Sequence, residues 1–258
     1  MNVLMMNGSP NVSGNTGNVL TIIAKKIEET RSEDVLSEVI SLSDRKINPC
    51  SGCRACFRNL ETRCPYQDDV AMIKEKMEEA DVIVMGSPVY VDNVTGLTKN
   101  WIDRMAYNCN RPFLEGKPVY LITTSGTEAS DYALRTMKNA FTAWGAQVIL
   151  CDNYSMGSKM KLIETEILYG ERIAKTIKEF MKYVDKKSIS MHSLVGFQIQ
   201  KKYWKNKDSD FENYDYEYWK EKGWLEKKCF YYRPIGKRFL KKRIAILLSK
   251  TVGKMIYT

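Results

Sequence analysis

Five short apolar runs alternate with five amphipathic stretches over the first 183 residues, and no other feature restricts the fold as much. The runs are residues 2–6, 37–42, 81–86, 117–124 and 147–150. The amphipathic stretches are 16–30, a segment opened by Asp68 and Asp69, Gly96–Tyr107, about 130–143 and about 161–183. Val19, Leu20, Ile22, Ile23 and Ile27 share one helical face in the first, as do Val70, Met72, Ile73 and Met77 in the second. Asp68 and Asp69 read as an N-cap for that second helix. Strands alternating with helices imply a parallel sheet covered on both faces. Five such units predict an α/β fold, a doubly wound five-stranded parallel sheet in the order 2-1-3-4-5. Residues 1–185 are expected to form this domain, and 186–258 a basic, aromatic-rich helical C-terminal extension.

In such sheets ligands sit beyond the carboxyl ends of the strands, and the unusual residues of this chain fall there. The first run ends in Asn7-Gly8-Ser9-Pro10, then Ser13-Gly14-Asn15-Thr16-Gly17 leads into a helix. Backbone N–H groups, small hydroxyls and a helix N-terminus at one place suit a phosphate, although an ordinary capped turn has the same composition. The loop has neither the G-x-x-x-x-G-K-[ST] of P-loop NTPases nor the G-x-G-x-x-G of dinucleotide folds. Ser87-Pro88-Val89-Tyr90 follows the third run, with Asn93 and Thr95-Gly96 ahead of a helix bearing Lys99. Thr123-Thr124-Ser125-Gly126 ends the fourth.

Together, N-G-S-P-x-x-x-G-N-T, S-P-x-Y and T-T-S-G resemble the loops of the NAD(P)H-dependent FMN reductases, a branch of the flavodoxin-like superfamily. The resemblance covers residues 1 to about 183. It implies bound FMN and NAD(P)H as co-substrate. It also implies a phosphate held by Ser9, Ser13, Asn15 and Thr16, with Asn11 where relatives often carry Arg. The flavin ring would then lie against Pro88, Val89, Tyr90, Asn93, Thr124, Ser125 and Gly126. Thr127 replaces the second Gly of the family's T-[ST]-G-G loop, which loosens backbone approach there. Tyr90 is the candidate proton-handling side chain.

Four of the seven cysteines stand as Cys50-x2-Cys53-x2-Cys56-x7-Cys64-Pro65, inside an insertion at 48–65. Two successive C-x2-C steps with a returning fourth thiolate suit a cubane cluster. A structural zinc site and a metal-free set of thiols are the alternatives. The insertion follows the second strand, where the iron–sulfur flavoproteins of anaerobes carry a compact motif for a [4Fe-4S] cluster. Cys109, Cys151 and Cys229 stand alone and are expected to be buried small hydrophobes.

The formal charge of +9 is unevenly placed. From Lys186 onward there are 18 Lys/Arg against 7 Asp/Glu, an excess of +11, which leaves −2 for the preceding residues. Fourteen of the 28 aromatic residues also lie in this tail. Its last helix, about Arg233–Met255, interleaves cations with Leu and Ile. Packing on the domain or on a second subunit is the plain expectation, contact with a membrane surface the second; no nucleic-acid partner is expected. His192, alone, builds no triad or metal site. No apolar stretch reaches about 20 residues, and the first residues read as core strand, so a cytoplasmic location is expected. The resemblance implies a homodimer or tetramer. The function expected is an FMN-dependent oxidoreductase passing electrons from NAD(P)H or ferredoxin to a quinone, nitroaromatic, ferredoxin or similar acceptor, with or without the cluster. A zinc-bearing binding module without enzymatic activity is the alternative of a different class.

Overall fold

A computed structural model describes residues 1–31, 35–127, 130–186, 189–207, 214–236 and 239–257. Strands β1 (Asn2–Asn7), β2 (Leu36–Ser41), β3 (Val82–Tyr90), β5 (Pro118–Ser125) and β6 (Gln147–Ser155) form a parallel sheet in the order β2-β1-β3-β5-β6. Counted without the two-residue β4 (Asn93–Val94), this is the flavodoxin-like order 2-1-3-4-5 expected from the alternation.

One short helix, α2 (Ala55–Arg58), lies in the cysteine insertion. The side chains of β1 alternate between two cores. Leu4 and Met6 face one side with α3 (Val70–Glu79), α4 (Gly96–Arg104) and α5 (Asp131–Ala143). Val3 and Met5 face the other with α1 (Asn15–Arg31) and α6 (Leu162–Asp185). Burial on both faces explains why the strands read as continuous apolar runs. Trp101, Phe141 and Trp144 fill the first core, with ring centroids 5.2 to 6.1 Å apart.

Two strands run further than their apolar residues suggest. β3 continues through Ser87-Pro88-Val89-Tyr90 and turns back on β4, with Val89 opposite Val94 and Tyr90 opposite Asn93. β6 continues through Asp152, Asn153, Tyr154 and Ser155, because its polar groups find partners within the sheet. Tyr120 Oη lies 2.9 Å from Asp152 Oδ2 and 2.8 Å from Tyr154 Oη, and the Thr123 and Ser125 hydroxyls each donate to Asn153 Oδ1 at 3.1 Å.

The segment after Asp185 folds as α7 (Met191–Lys205), α8 (Tyr214–Glu221) and α9 (Phe239–Tyr257). It has its own aromatic core, in which Phe197, Trp219, Trp224 and Tyr231 meet edge-on or tilted. The last helix starts at Phe239, later than the spacing suggests; Lys237 and Arg238 lie outside the described residues.

The β3–β4 turn is strained. Val91 and Asp92 have φ of 49° and 60°, the left-handed pair that a two-residue hairpin needs and that Asn and Gly normally supply. A β-branched residue there costs about 1–2 kcal/mol. Val91 is fully exposed, so its side chain recovers none of this by packing. Val91→Asn should therefore raise stability by about 1 kcal/mol, read as a higher urea midpoint with an unchanged slope.

Candidate functional site

The carboxyl ends of β1, β3 and β5 and the loop after β6 enclose an open cavity of about 270 Å³. Its floor is the first loop. Asn7 Oδ1 accepts from the Ser9 N–H at 3.0 Å, and Ser9 Oγ accepts from the Asn11 N–H at 3.1 Å. Gly8 is tied from both sides. Its N–H donates to the Gly86 carbonyl at 2.7 Å, and its carbonyl accepts from Thr95 Oγ1 at 2.8 Å and Thr98 Oγ1 at 3.1 Å. A Cβ at Gly8 would lie 2.1 Å from Thr98 Oγ1, and one at Gly17 would lie 2.0 Å from the Val12 carbonyl oxygen. Only glycine fits either place.

Helix α1 starts at Asn15, so the amides of its first turn have no acceptor within the helix and face the cavity with the positive end of the dipole. Thr16 and Thr124 are buried, their hydroxyl oxygens 2.7 Å apart. Two hydroxyls sharing one hydrogen bond leave one hydrogen to offer a ligand. The result is an anion cradle built of neutral donors, with Lys159 at its rim as the cationic lining residue.

Ser9, Asn11, Asn15, Thr16, Pro88, Val89, Tyr90, Thr124, Ser125 and Gly126 all line this cavity. Tyr90 stands at the hairpin end, 54 % exposed. Ser13 and Asn93 do not line it. Ser13 is exposed, and Asn93 Oδ1 accepts from Thr136 Oγ1 at 2.9 Å, fastening the hairpin to α5. Lys99 pairs with Asp103 at 2.6 Å on the exposed side of α4. The amide of Asn15 is engaged as well: Nδ2 donates to the Ser158 carbonyl at 2.8 Å, and Oδ1 accepts from the Met160 N–H at 2.9 Å. Asn15 thereby clamps the loop that brings Met156, Gly157, Ser158 and Lys159 to the cavity. Sequence reasoning missed these four residues, because it ended the last strand at Leu150. Their one signal is Gly157-Ser158-Lys159, a turn just beyond a strand end.

A second, larger cavity of about 700 Å³ is lined by Cys50, Cys53, Cys56 and Cys64, together with Tyr66, Lys74 and Arg104. All seven cysteines are free. Burial, reinforced by the neighbouring Cys64, pushes the Cys56 thiol up, whereas the Ala55 N–H and the Ser51 hydroxyl pull Cys53 down. Among the described residues no three His, Cys, Asp or Glu side chains are gathered closely enough to hold a metal ion as they stand. The chemistry of the donor set does fit a thiolate-held metal group: four thiols border one cavity, and Arg104 Nη2 donates to one of them, Cys64 Sγ, at 3.6 Å. Cys109 and Cys151, expected to be buried, are exposed; Cys151 lies midway along β6, the edge strand of the sheet.

The insertion is positioned by two buried guanidinium groups. Arg104 donates to Asp68 through Nη1 at 2.5 Å and Nη2 at 3.0 Å, to the Asn48 carbonyl at 2.9 Å and to Cys64 Sγ at 3.6 Å. The Asp68 and Asp69 side chains do not serve mainly as a helix cap. Asp69 Oδ2 accepts from the Lys46 N–H at 2.7 Å and Asp68 Oδ2 from the Asn48 N–H at 2.9 Å, so both hold the start of the insertion; only a 3.4 Å contact joins Asp68 Oδ1 to the Val70 N–H. Arg111 donates to Asp215 of α8 at 2.7 Å, to Glu61 at 2.9 Å, to the Asn59 carbonyl at 3.2 Å and to the Cys56 carbonyl. The C-terminal helices thus help to hold the cysteine loop. Neither arginine was legible as a site residue, since each partner lies tens of residues away.

Fold and cradle together define an α/β protein with an anion cradle at the switch point of a doubly wound sheet. The family description "NADPH-dependent FMN reductase" matches residues 1–161. An iron–sulfur flavoprotein of Archaeoglobus fulgidus is 31 % identical over 240 residues, covering 84 % of this chain and 97 % of that one. A second from the same organism is 45 % identical over 104 residues, 40 % of this chain and 48 % of its own length. Among solved structures, a flavone reductase superposes with a TM-score of 0.57 at 16 % identity, covering 72 % of this chain and 63 % of that one, and shares the fold. The chain belongs to the NADPH-dependent FMN reductase family and is an FMN-dependent NAD(P)H oxidoreductase.

The Arg104–Asp68 pair has a measurable consequence. Burial pushes the Asp68 carboxyl up, but Arg104 and the Asn48 donors outweigh it and bring the pKa down to about 2. A carboxyl lowered in the folded state stabilises above its unfolded value and stops doing so as pH falls through its folded value. Stability from this pair should therefore be lost between about pH 4 and pH 2. Asp68→Ala leaves Arg104 buried without its charge partner and should cost about 3–5 kcal/mol at neutral pH. Denaturant melts across this pH range check both: the variant should lose the acid limb along with the stability.

Proposed function

We propose that this chain is an iron–sulfur flavoprotein: an enzyme in which Cys50, Cys53, Cys56 and Cys64 hold a [4Fe-4S] cluster beside an FMN seated on the α1 loop. The observation that carries this reading is the course of α4. At its start, Thr95 and Thr98 hold the Gly8 carbonyl of the phosphate loop. Toward its end, Asn100 Oδ1 accepts from the Cys50 N–H at 3.2 Å and Arg104 reaches Cys64. One nine-residue helix, about 13 Å long, therefore fixes both sites to each other.

FMN, when bound, supplies two-electron exchange with NAD(P)H and one-electron exchange with a second centre. The protein's part is binding and orientation. The α1 amides, Ser9 and the Thr16–Thr124 pair hold the phosphate; Ser13 stands too far out, so Asn15 and Lys159 complete the rim. Pro88, Val89, Ser125 and Gly126 present backbone to the ring, and Tyr90 offers an exposed hydroxyl at its edge as the candidate proton carrier. Asn93 acts one step removed, by holding the hairpin to α5. The four thiolates would hold the cluster, with Arg104 donating to Cys64, and the cluster would supply single-electron transfer to or from ferredoxin, a quinone or a nitroaromatic acceptor. Free thiols throughout support a reducing, cytoplasmic setting. The exposed Leu162, Ile163, Ile167 and Leu168 of α6 support pairing of two chains.

Protein purified without oxygen should release one FMN per chain on heating. It should contain about four iron and four sulfide, with broad absorbance that dithionite bleaches. Cys56→Ser should lose iron and keep FMN, because the phosphate loop leaves a different strand. Stoichiometric zinc without iron, or iron unchanged in Cys56→Ser, would overturn the cluster.

Thr16→Val keeps the γ-methyl that packs over Gly86 and removes the hydroxyl. FMN affinity, measured by fluorescence quenching on refilling apoprotein, should fall about tenfold.

A further inference from the structure

Helix α9 packs along α7 through Ala245 and Ser249, both buried. Its outward side is not polar. Leu240 is 74 % exposed and Leu247 66 %, and Ile244, Leu248 and Val252 are exposed beside them. Their spacing, i, i+4, i+7, i+8 and i+12, makes one continuous apolar stripe along three turns. Arg243 and Lys250 stand exposed along one border of the stripe. No Asp or Glu occurs anywhere in Phe239–Tyr257.

A second copy of the chain, an acidic protein and a bilayer are the occupants such a stripe admits. The molecule carries an internal comparison. The exposed apolar residues of α6, Leu162 to Leu168, are interleaved with Glu164 and Glu166, which an anionic surface would repel. The α9 stripe is bordered by cations alone and lies in a tail with an excess of +11. An apolar face flanked only by positive charge matches a lipid interface, where side chains enter the acyl boundary and cations meet the headgroups. No helix among the described residues is long and apolar enough to cross a membrane, so the helix would lie on the surface.

We propose that the outer face of α9, through Leu240, Ile244, Leu247, Leu248, Arg243 and Lys250, docks the protein on an anionic phospholipid bilayer. This inference stands on the C-terminal helices and does not depend on the cluster.

The test uses the full chain with vesicles of phosphatidylcholine alone and of phosphatidylcholine mixed with phosphatidylglycerol. The protein should sediment with the mixed vesicles, stay in solution with the neutral ones, and be released as salt rises. Arg243→Gln with Lys250→Gln should weaken binding about tenfold or more. Leu240→Ser with Leu247→Ser should weaken it about tenfold or more by removing buried apolar area. All four side chains are exposed, and unchanged FMN content and far-UV spectrum show that each variant folds. Equal binding to neutral and mixed vesicles, no binding to either, or a Leu240→Ser/Leu247→Ser protein that still sediments normally would overturn the proposal. So would a sedimentation-equilibrium mass that halves in that variant while the wild type ignores vesicles, since the stripe would then be covered by a second copy.

Discussion

The cysteine insertion has almost no apolar anchor of its own, and that constraint shapes much of the molecule. None of the residues in its two helical turns is buried. A loop without a core must be fixed by directional bonds, and those bonds must be shielded from water to hold it firmly. Arg104 and Arg111 meet this demand. Each guanidinium is nearly all buried, with side chains 4 % exposed, and each reaches a carboxylate as well as backbone carbonyls of the insertion. Arginine suits the task because its planar fork serves several acceptors at once. Stability alone does not explain such pairs, since burying two charges costs about what their attraction returns. What they provide is a defined position for thiols that the rest of the fold leaves at the surface.

That arrangement ties the C-terminal helices to the chemistry. Asp215 belongs to α8, and its two oxygens accept from Arg111 and Asn110. Trp219 Nε1 donates to the Asn110 carbonyl at 2.8 Å, and Tyr218 Oη to the Pro112 carbonyl at 2.7 Å. Three consecutive residues of the sheet domain, Asn110 to Pro112, are thus gripped from one helix. A tail that reads in sequence as a basic appendage is also part of the frame behind the cysteines.

The alternation of strands and helices and the small-residue loops were legible in the sequence because their causes are local. Apolar periodicity reports burial, and Gly, Pro, Ser and Asn report the turn they make. Sequence reasoning failed where polar residues act at long range. Asp152, Asn153 and Tyr154 look like a strand end, yet their partners on β5 keep them in the sheet. Asp68 has the composition of a cap, but a buried arginine from α4 claims it. Asn15 sits where a phosphate ligand belongs, and its amide also holds a loop 143 residues further on, a role its position did not suggest. Residue type gave the position of each group, and the partner decided its role.

The phosphate cradle shows how position can replace charge. The first loop has the neutral Asn11 and no cation, and the floor of the cavity carries only amides and hydroxyls. Those donors cost nothing to reorganise, because the fold already fixes them: Gly8 is bonded through both its N–H and its carbonyl, and Thr16 and Thr124 are locked together in the core. A helix N-terminus adds about half a unit of positive charge at the same point. A mobile arginine would add Coulombic attraction and lose side-chain entropy on binding, whereas fixed neutral donors lose almost none. The same rigidity sets the strain at Val91–Asp92. The hairpin that carries Tyr90 turns within two residues and keeps Asn93 on α5, so the backbone accepts a left-handed conformation that the β-branched Val91 does not favour.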